Sequence, residues 1–348
     1  MRIDDDLSGL VVSTASSIRG ALARMNTTPH LIQLVIDEAG RLVGIITDGD
    51  VRRALVDGIG LEDPVTKCMH AKPIVARSVP EALGILPDLG GRRRCVPVID
   101  AEGRPIKVVT DAPESDGIGT AVIMAGGFGR RQGANTRDTP KPLLPLAGRP
   151  ILWHIIKDLE EHGIQKFFIT VHFRGEQIRE FVQTAGFRSE IALVEESEPL
   201  GTAGGLGLLP ALKGPLLIVN GDIVTRADFR AMIGHHQFNG NDITVGSTRY
   251  DVEVPFGVLE LGDGGAVVDI REKPQYRHFV SAGIYVVDAS VCAYAGNGTP
   301  IDMPDLIRAA IAAGRRVGVF PIHEYWHDLG RPDDIRKAEE DRSAWLRR

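Results

Sequence analysis

The stretch Ala121-Val122-Ile123-Met124-Ala125-Gly126-Gly127-Phe128-Gly129-Arg130-Arg131 decides how the larger part of this chain folds. Its first four residues make a short apolar run that fits a buried strand. The glycine cluster that follows lets backbone N–H groups approach phosphate oxygens with no Cβ in the way. Its spacing is not the dinucleotide fingerprint G-x-G-x-x-G, and no Gly-Lys-Ser/Thr follows as in a Walker A loop. Such a cluster can also mark a mere turn, so its meaning rests on what lies beyond it.

Next comes Thr139-Pro140-Lys141-Pro142-Leu143-Leu144-Pro145-Leu146. The prolines flanking Lys141 predict an extended backbone that holds one cation in a fixed place. Gly-rich loop, Arg131 and Lys141 together make a cationic cradle for a triphosphate. Helical and extended patterns then alternate: helices over 151–162, 176–184 and 202–209, strands over 166–171, 191–194 and 216–220. This alternation predicts a mostly parallel sheet with helices on both faces, and ligands beyond the carboxyl ends of its strands. Asp222 follows Leu216-Leu217-Ile218-Val219-Asn220-Gly221 and so falls at such an end, and Asp328 follows a second apolar stretch in Tyr325-Trp326-His327-Asp328-Leu329-Gly330. Mg²⁺ takes one or two carboxylates plus substrate phosphates, which two such Asp residues would satisfy, although either alone could be a helix or turn cap.

The first third carries a repeat. Val35-Ile36-Asp37-Glu38-Ala39-Gly40-Arg41-Leu42-Val43-Gly44-Ile45-Ile46-Thr47-Asp48 recurs 63 residues on as Val98-Ile99-Asp100-Ala101-Glu102-Gly103-Arg104-Pro105-Ile106-Lys107-Val108-Val109-Thr110-Asp111. Each copy reads as strand, Gly turn, strand, with a helical stretch before it, and the duplication predicts two similar halves packed together. A Pro/Gly/Ser/acid stretch at 113–119 reads as a linker. This divides the chain into a repeat-bearing unit over 1–112 and a larger domain over 120–348.

Composition narrows the function. The 348 residues are 43% apolar and 25% charged with a formal charge of −6, which suits a soluble globular protein and offers no basic face for nucleic acid. Three scattered cysteines (Cys68, Cys95, Cys292), with no CxxC, suggest small buried thiols rather than a disulfide framework or zinc ribbon. The acidic N-terminus is unlike a signal peptide and no apolar run is long enough to span a bilayer, so a cytoplasmic location away from membranes is expected. His235-His236 reads as a helix end rather than a metal site, and Trp153 and Trp345 as packing residues on amphipathic helices.

Residues 1–112, with Gly44-Ile45-Ile46-Thr47-Asp48-Gly49-Asp50 and the duplication, resemble a tandem cystathionine-β-synthase (CBS) domain pair of α+β type. The resemblance implies an adenine nucleotide held by Thr47 and Asp50. In the second copy Pro113 stands where Asp50 would, leaving that site degraded and a purely structural pair an equal alternative. It also implies association into a homodimer.

Residues 120–345 resemble the sugar-1-phosphate nucleotidyltransferases (nucleotide-diphospho-sugar pyrophosphorylases) in six ordered blocks: Ala125–Arg131, Pro140–Pro145, Leu200-Gly201-Thr202-Ala203-Gly204, Asn220-Gly221-Asp222, Glu272-Lys273-Pro274 and Trp326–Gly330. The implied fold is α/β, a Rossmann-like, mixed but mostly parallel sheet. The implied roles are these. Arg131 and Lys141 hold the triphosphate and its α-phosphoryl group. Ala125, Gly126, Gly127, Gly129, Arg130, Glu196, Gly201 and Thr202 surround the nucleotide. Glu272 takes a sugar hydroxyl and Lys273 the sugar phosphate, with Gly257, Ser281 and Gly283 beside the sugar. Asp222 and Asp328 bind Mg²⁺, for which Mn²⁺ can substitute. Two departures stand out: Arg130 replaces a usual Thr or Ser, and Gln132-Gly133-Ala134 replaces Leu-x-Pro.

Glu196 stands five residues before Gly201, where thymidylyl- and uridylyl-transferases typically have Gln. A carboxylate suits the adjacent N1–H and 2-amino donors of guanine, which points to GTP, unless Glu196 merely belongs to the acidic run with Glu195 and Glu198. The CBS pair together with Val280-Ser281-Ala282-Gly283-Ile284-Tyr285 and Asp302-Met303-Pro304-Asp305-Leu306 resembles the guanylyltransferases of bacterial legionaminic-acid synthesis, which act on glucosamine 1-phosphate. Mannose 1-phosphate, and uridylyl, cytidylyl or thymidylyl transfer to a related sugar phosphate, are the alternatives. Two other classes compete. A glycosyltransferase would show Asp-x-Asp where Asn220-Gly221-Asp222 stands; a nucleotide-sensing CBS protein with an inactive transferase domain would not need Arg131, Lys141, Asp222, Lys273 and Asp328 together.

Overall fold

The computed structural model describes residues 2–25, 32–89, 94–111, 119–127, 138–296 and 298–346. Gly129, Arg130, Arg131, Pro113 and nearly all of the 113–119 linker lie outside them. Two compact units, Met1–Asp116 and Gly117–Arg348, divide the chain.

The larger unit is built on a seven-stranded sheet: β1 (Thr120–Met124), β2 (Lys166–Val171), β3 (Glu190–Glu195), β4 (Pro215–Asn220), β5 (Ile243–Glu253), β6 (Gln275–Asp288) and β7 (Val317–Pro321). Their order is β3-β2-β1-β4-β6-β5-β7. Only β6 runs against the others, pairing antiparallel with β4 and β5. Strands buried on both faces read as continuous apolar runs, and this is why β1 and β4 were legible. Ala121 and Ile123 of β1 and Leu217 and Val219 of β4 join the core on one face; Val122, Leu216 and Ile218 join the core on the other.

The first face is covered by α1 (Ile151–Glu161), α2 (Gly175–Thr184) and α3 (Phe229–Asn239). Ile151, Leu152, Ile155, Ile156 and Leu159 form the buried stripe of α1, the spacing that a 3.6-residue period requires. The second face is covered partly by α4 (Met303–Ala312). The helix expected over 202–209 is a five-residue 3₁₀ turn, Gly204–Leu208. Gly204 and Gly205 supply little helix propensity, and close approach to neighbouring chain decides the geometry instead. His236 lies near the end of α3, buried with its Nδ1 3.0 Å from Thr244 Oγ1, in a packing role. Burial and a 2.7 Å hydrogen bond from its indole to Ala338 O place Trp345 in the core.

In the smaller unit the 63-residue repeat is visible in space. Strands Ile32–Ile36 and Leu42–Thr47 pair antiparallel, as do Arg94–Ile99 and Pro105–Asp111. Both hairpins turn on a glycine at positive φ, Gly40 (76°) and Gly103 (83°), a conformation other residues adopt only with strain. Asp37 and Asp100 accept equivalent backbone bonds from Arg41 N (2.8 Å) and Arg104 N (2.7 Å). A shared cluster with Leu10, Ile32, Leu34 and Val108 at its centre packs the halves together.

Thr47 and Asp50 are engaged at the start of the helix Asp48–Val56. The Thr47 hydroxyl accepts from Asp50 N, Asp50 Oδ2 accepts from Thr47 N at 2.8 Å, and Asp50 Oδ1 pairs with Arg53. This reciprocal capping box accounts for both residues without a ligand. Thr47→Ala is expected to cost the smaller unit about 1 kcal/mol. Faster amide exchange in residues 48–56, with residues 120–346 unaffected, is the measurement.

Candidate active site

The strand order reverses between β1 and β4, and ligands in open α/β sheets bind at such a switch point. Met124 of β1 and Asn220 of β4 are ladder partners there. Beyond β1, buried Ala125 donates from its N–H to Thr170 O at 3.1 Å and to Thr170 Oγ1 at 3.3 Å, which fixes where the Gly-rich loop departs. Gly126 follows, then exposed Gly127.

Lys141 is nearly buried and its ammonium pairs with the carboxylate of Asp222. The extended backbone expected at Lys141 is found only at Pro140 (φ −62°, ψ 140°); Lys141–Leu143 winds into a 3₁₀ turn. Pro142 lacks an N–H and fits early in a turn, where no donor is needed. Asp222 itself follows β4. The short strands Ile223–Thr225 and Trp326–Asp328 pair antiparallel with Ile223 opposite Asp328, and Leu329 N donates to Asp222 O at 2.8 Å. Asp328 stands on that ladder and Asp222 in the turn just before it, so the backbones of residues 106 positions apart in sequence adjoin.

Glu196 does not share the solvated state of Glu195 and Glu198: it is 6% exposed. Its carboxylate lies in a slot between two glycines. A Cβ at Gly126 would stand 2.8 Å from Oε2, and one at Gly205 2.8 Å from Oε1. Oε2 accepts from Leu200 N at 3.2 Å, while Oε1 has no hydrogen-bond partner among the described residues. Burial pushes the carboxyl above the usual range, outweighing the Leu200 N–H, the Thr170 hydroxyl and the nearby His172.

Gly201 and Thr202 are held from the far side. The Thr202 N–H donates to Asp302 Oδ1 at 2.9 Å, and the Thr202 hydroxyl accepts from Met303 N at 2.8 Å at the start of α4. Asp302→Ala is expected to raise the KM for the nucleotide several-fold with less effect on kcat, because the lost contact holds the loop and not a reacting group. Steady-state kinetics with the nucleotide varied measures this.

Gly283, at φ 70° in β6, packs on Asn220, where a Cβ would meet Nδ2 at 2.6 Å. Ser281 Oγ is 2.8 Å from Tyr285 Oη, and the Trp326 indole donates to Ala282 O at 2.8 Å, tying this segment to the strand that carries Asp328. Gly257, Glu272 and Lys273 form their own group on an arm made by the outer halves of β5 and β6. A Cβ at Gly257 would lie 3.1 Å from Glu272 Oε2, and Lys273 has φ 44°.

Three contributors were not singled out from sequence: Asn220 as a support for Gly283, Thr170 as the anchor of Ala125, and His172, whose Nδ1 is 2.8 Å from Glu196 O. Thr170 ends its apolar run and His172 stands just past β2, at the sheet end where ligands gather; that position was the available signal.

Among the described residues no group of three or more His, Cys, Asp or Glu is disposed to hold a metal. Asp222, in the turn before Ile223–Thr225, and Asp328, on the strand paired with Ile223–Thr225, offer two hard oxygen donors. That set fits Mg²⁺, which completes its shell with phosphate oxygens and water. Cysteine chemistry is disfavoured: burial pushes the thiols of Cys68 and Cys292 up to about 11 and that of Cys95 to about 12. Among the described residues no helix is long and apolar enough to cross a membrane.

A sheet of this order, with a lysine–aspartate pair at its switch point, defines an open α/β domain of the kind that gathers ligands at its carboxyl strand ends. The chain belongs to the Nucleotidyl transferase family, whose profile matches residues 120–344, and a CBS domain profile matches residues 9–57, the first repeat. It is 31% identical over 234 residues to the bifunctional protein GlmU of Methanococcus vannielii, covering 63% of this chain and 53% of that protein. It is 29% identical over 223 residues to the mannose-1-phosphate guanylyltransferase catalytic subunit beta of Drosophila melanogaster, covering 62% and 60%. The chain thus spans between half and two thirds of these relatives' length. HddC from Yersinia pseudotuberculosis, crystallised in complex with GMP-PN, shares the fold with a TM-score of 0.50 at 23% identity, covering 64% of this chain and 98% of that one.

Proposed function

We propose that the chain is a sugar-1-phosphate guanylyltransferase, joining GTP and a hexosamine 1-phosphate, glucosamine 1-phosphate by preference, into a GDP-sugar. One observation supports the transferase reading above the others: the Lys141–Asp222 ion pair just past β4, with the backbone of the Asp328 strand hydrogen-bonded beside Asp222. The nucleophile is a phosphate oxygen of the sugar 1-phosphate, ionised near neutral pH, so no general base is required. It forms a bond to the α-phosphorus of GTP while the bond from that phosphorus to the bridging oxygen breaks and pyrophosphate leaves with the electron pair. The chain's task is to offset repulsion between two anions and hold them in line. Lys141 meets the α-phosphoryl oxygens once phosphate displaces it from Asp222. Lys273 holds the sugar phosphate and Glu272 a sugar hydroxyl. Asp222 and Asp328 would hold Mg²⁺, which supplies charge neutralisation at the phosphates.

The guanine reading rests on Glu196, whose carboxylate is buried between Gly126 and Gly205 with Oε1 given no donor by the geometry of the described residues. HddC, with its GMP-PN, and the guanylyltransferase relative support the same base by analogy. The choice of glucosamine over mannose rests on the sequence resemblance. Pyrophosphate release, measured for four nucleoside triphosphates against glucosamine, N-acetylglucosamine, mannose and glucose 1-phosphates, tests the whole reading. Fastest turnover with GTP and glucosamine 1-phosphate is expected. A preference for UTP or for mannose 1-phosphate would reassign base or sugar, and no release with any pair would leave an inactive transferase domain.

A further inference from the structure

The 3₁₀ turn Lys141–Leu143 leads into a short hairpin, Pro145–Leu146 paired with Arg149–Pro150. Both residues at its tip lie at positive φ, Ala147 at 49° and Gly148 at 77°. A two-residue loop with this pattern favours Asn-Gly, whereas an alanine in the left-handed region is strained by its Cβ. Ala147 therefore needs a contact that holds it there. Its N–H donates to the carboxylate of Glu339, 192 residues further along the chain. The carbonyl of Leu146 beside it lies 2.8 Å from His154 Nε2 on α1.

Glu339 stands on α5 (Pro332–Glu340), which follows the strand Trp326–Asp328 after Leu329-Gly330-Arg331. The helix is fixed next to Glu339: Ala338 is buried, its carbonyl accepts from the Trp345 indole at 2.7 Å, and the Trp345 ring meets His154 edge-on at 5.0 Å. The contacts close a ring. Leu329 N donates to Asp222 O, and the chain runs from Leu329 into α5 and Glu339. Glu339 takes the Ala147 N–H. Back along the hairpin, Leu144 O accepts from Ile151 N at 3.0 Å and Leu144 N donates to Lys141 O at 3.0 Å. The Lys141 ammonium then pairs with Asp222. We propose that Glu339 is a positioning residue for Lys141: by holding Ala147 it fixes the turn that sets the ammonium against Asp222. Its effect on rate rests on the transferase reading. A hydrogen bond at the surface adds little stability, so the worth of this one lies in geometry, where a small misplacement of a reacting-site group costs rate.

Glu339→Ala is expected to lower kcat about 10-fold, with the KM of either substrate little changed. Glu339→Gln keeps an acceptor oxygen and is expected to keep the rate. Adding Ala147→Asn to Glu339→Ala is expected to restore it, because Asn takes the left-handed turn without a tether. Turnover per folded chain, with the melting temperature measured beside it, separates positioning from stability. An unchanged kcat in Glu339→Ala overturns the proposal, and so does a double variant that regains its melting temperature without its rate. Amide exchange over residues 141–151 reads the same tie with no substrate present. Faster exchange in Glu339→Ala, reversed by Ala147→Asn, supports it; unchanged exchange overturns it. A chain that turns over no nucleotide yet shows this exchange pattern loses the transferase reading and keeps the tie, so the two fail separately.

Discussion

Lys141→Ala and Asp222→Asn are each expected to lower kcat by at least about 100-fold, the usual loss when a charge contact to the transition state is removed. The physical basis is their ion pair. An ammonium nearly withdrawn from water is stabilised by the carboxylate beside it, and a carboxylate at the sheet's carboxyl end is held in place by the ammonium. Breaking such a pair leaves a charge behind. In Lys141→Ala the remaining Asp222 repels the incoming triphosphate, so KM for the nucleotide rises as kcat falls. In Asp222→Asn the shape of the site is kept, so the loss should fall mainly on kcat. The double variant is expected to lose less than the product of the single losses, because the two groups act on the same phosphoryl oxygens. Unchanged melting temperatures would separate this from simple unfolding. Full turnover in both single variants would remove the catalytic assignment.

How much of this was legible in sequence depends on where each cause lies. β1 and β4 could be read because both of their faces are covered, so the residues themselves are a continuous apolar run. The repeat could be read because Gly40 and Gly103 must take the same rare backbone angle in two copies of one hairpin. β5 and β6 escaped, since their outer halves leave the core and their pattern turns from apolar to exposed midway. The 3₁₀ turn at Gly204–Leu208 and the link from Thr202 to Asp302 are set by contacts across about a hundred residues, which no local period records. Asp222 and Asp328 were recognisable as strand-end carboxylates, but only the pairing of Ile223 with Asp328 brings them side by side. For Glu196 the acidic neighbours were misleading: the chain direction at the end of β3 turns one carboxylate inward between glycines and leaves the others in water.

That inward turn makes base choice a function of pH. Burial raises the Glu196 carboxyl above its ordinary range, so it is ionised only at pH above that raised value and gains a proton as pH falls through it. The ionised form accepts from guanine N1–H and the 2-amino group together. The protonated form presents one donor and one acceptor, the pattern that an amide offers to uracil. His172 is the titratable neighbour that opposes this change, since its positive form favours the carboxylate. The ratio of kcat/KM for GTP to that for UTP is therefore expected to fall about 10- to 100-fold from mildly alkaline to acidic pH, the worth of one hydrogen bond to a charged group. Using a ratio cancels the titration of the phosphates, which both nucleotides share. Glu196→Gln should show the low ratio at every pH. It should also be at least as stable as the wild type above the raised pKa, where folding otherwise bears the burial of a charge. A ratio that stays flat in the wild type, or a Gln variant that keeps its preference for GTP, would show that Glu196 supports the loop at Gly126 and does not read the base.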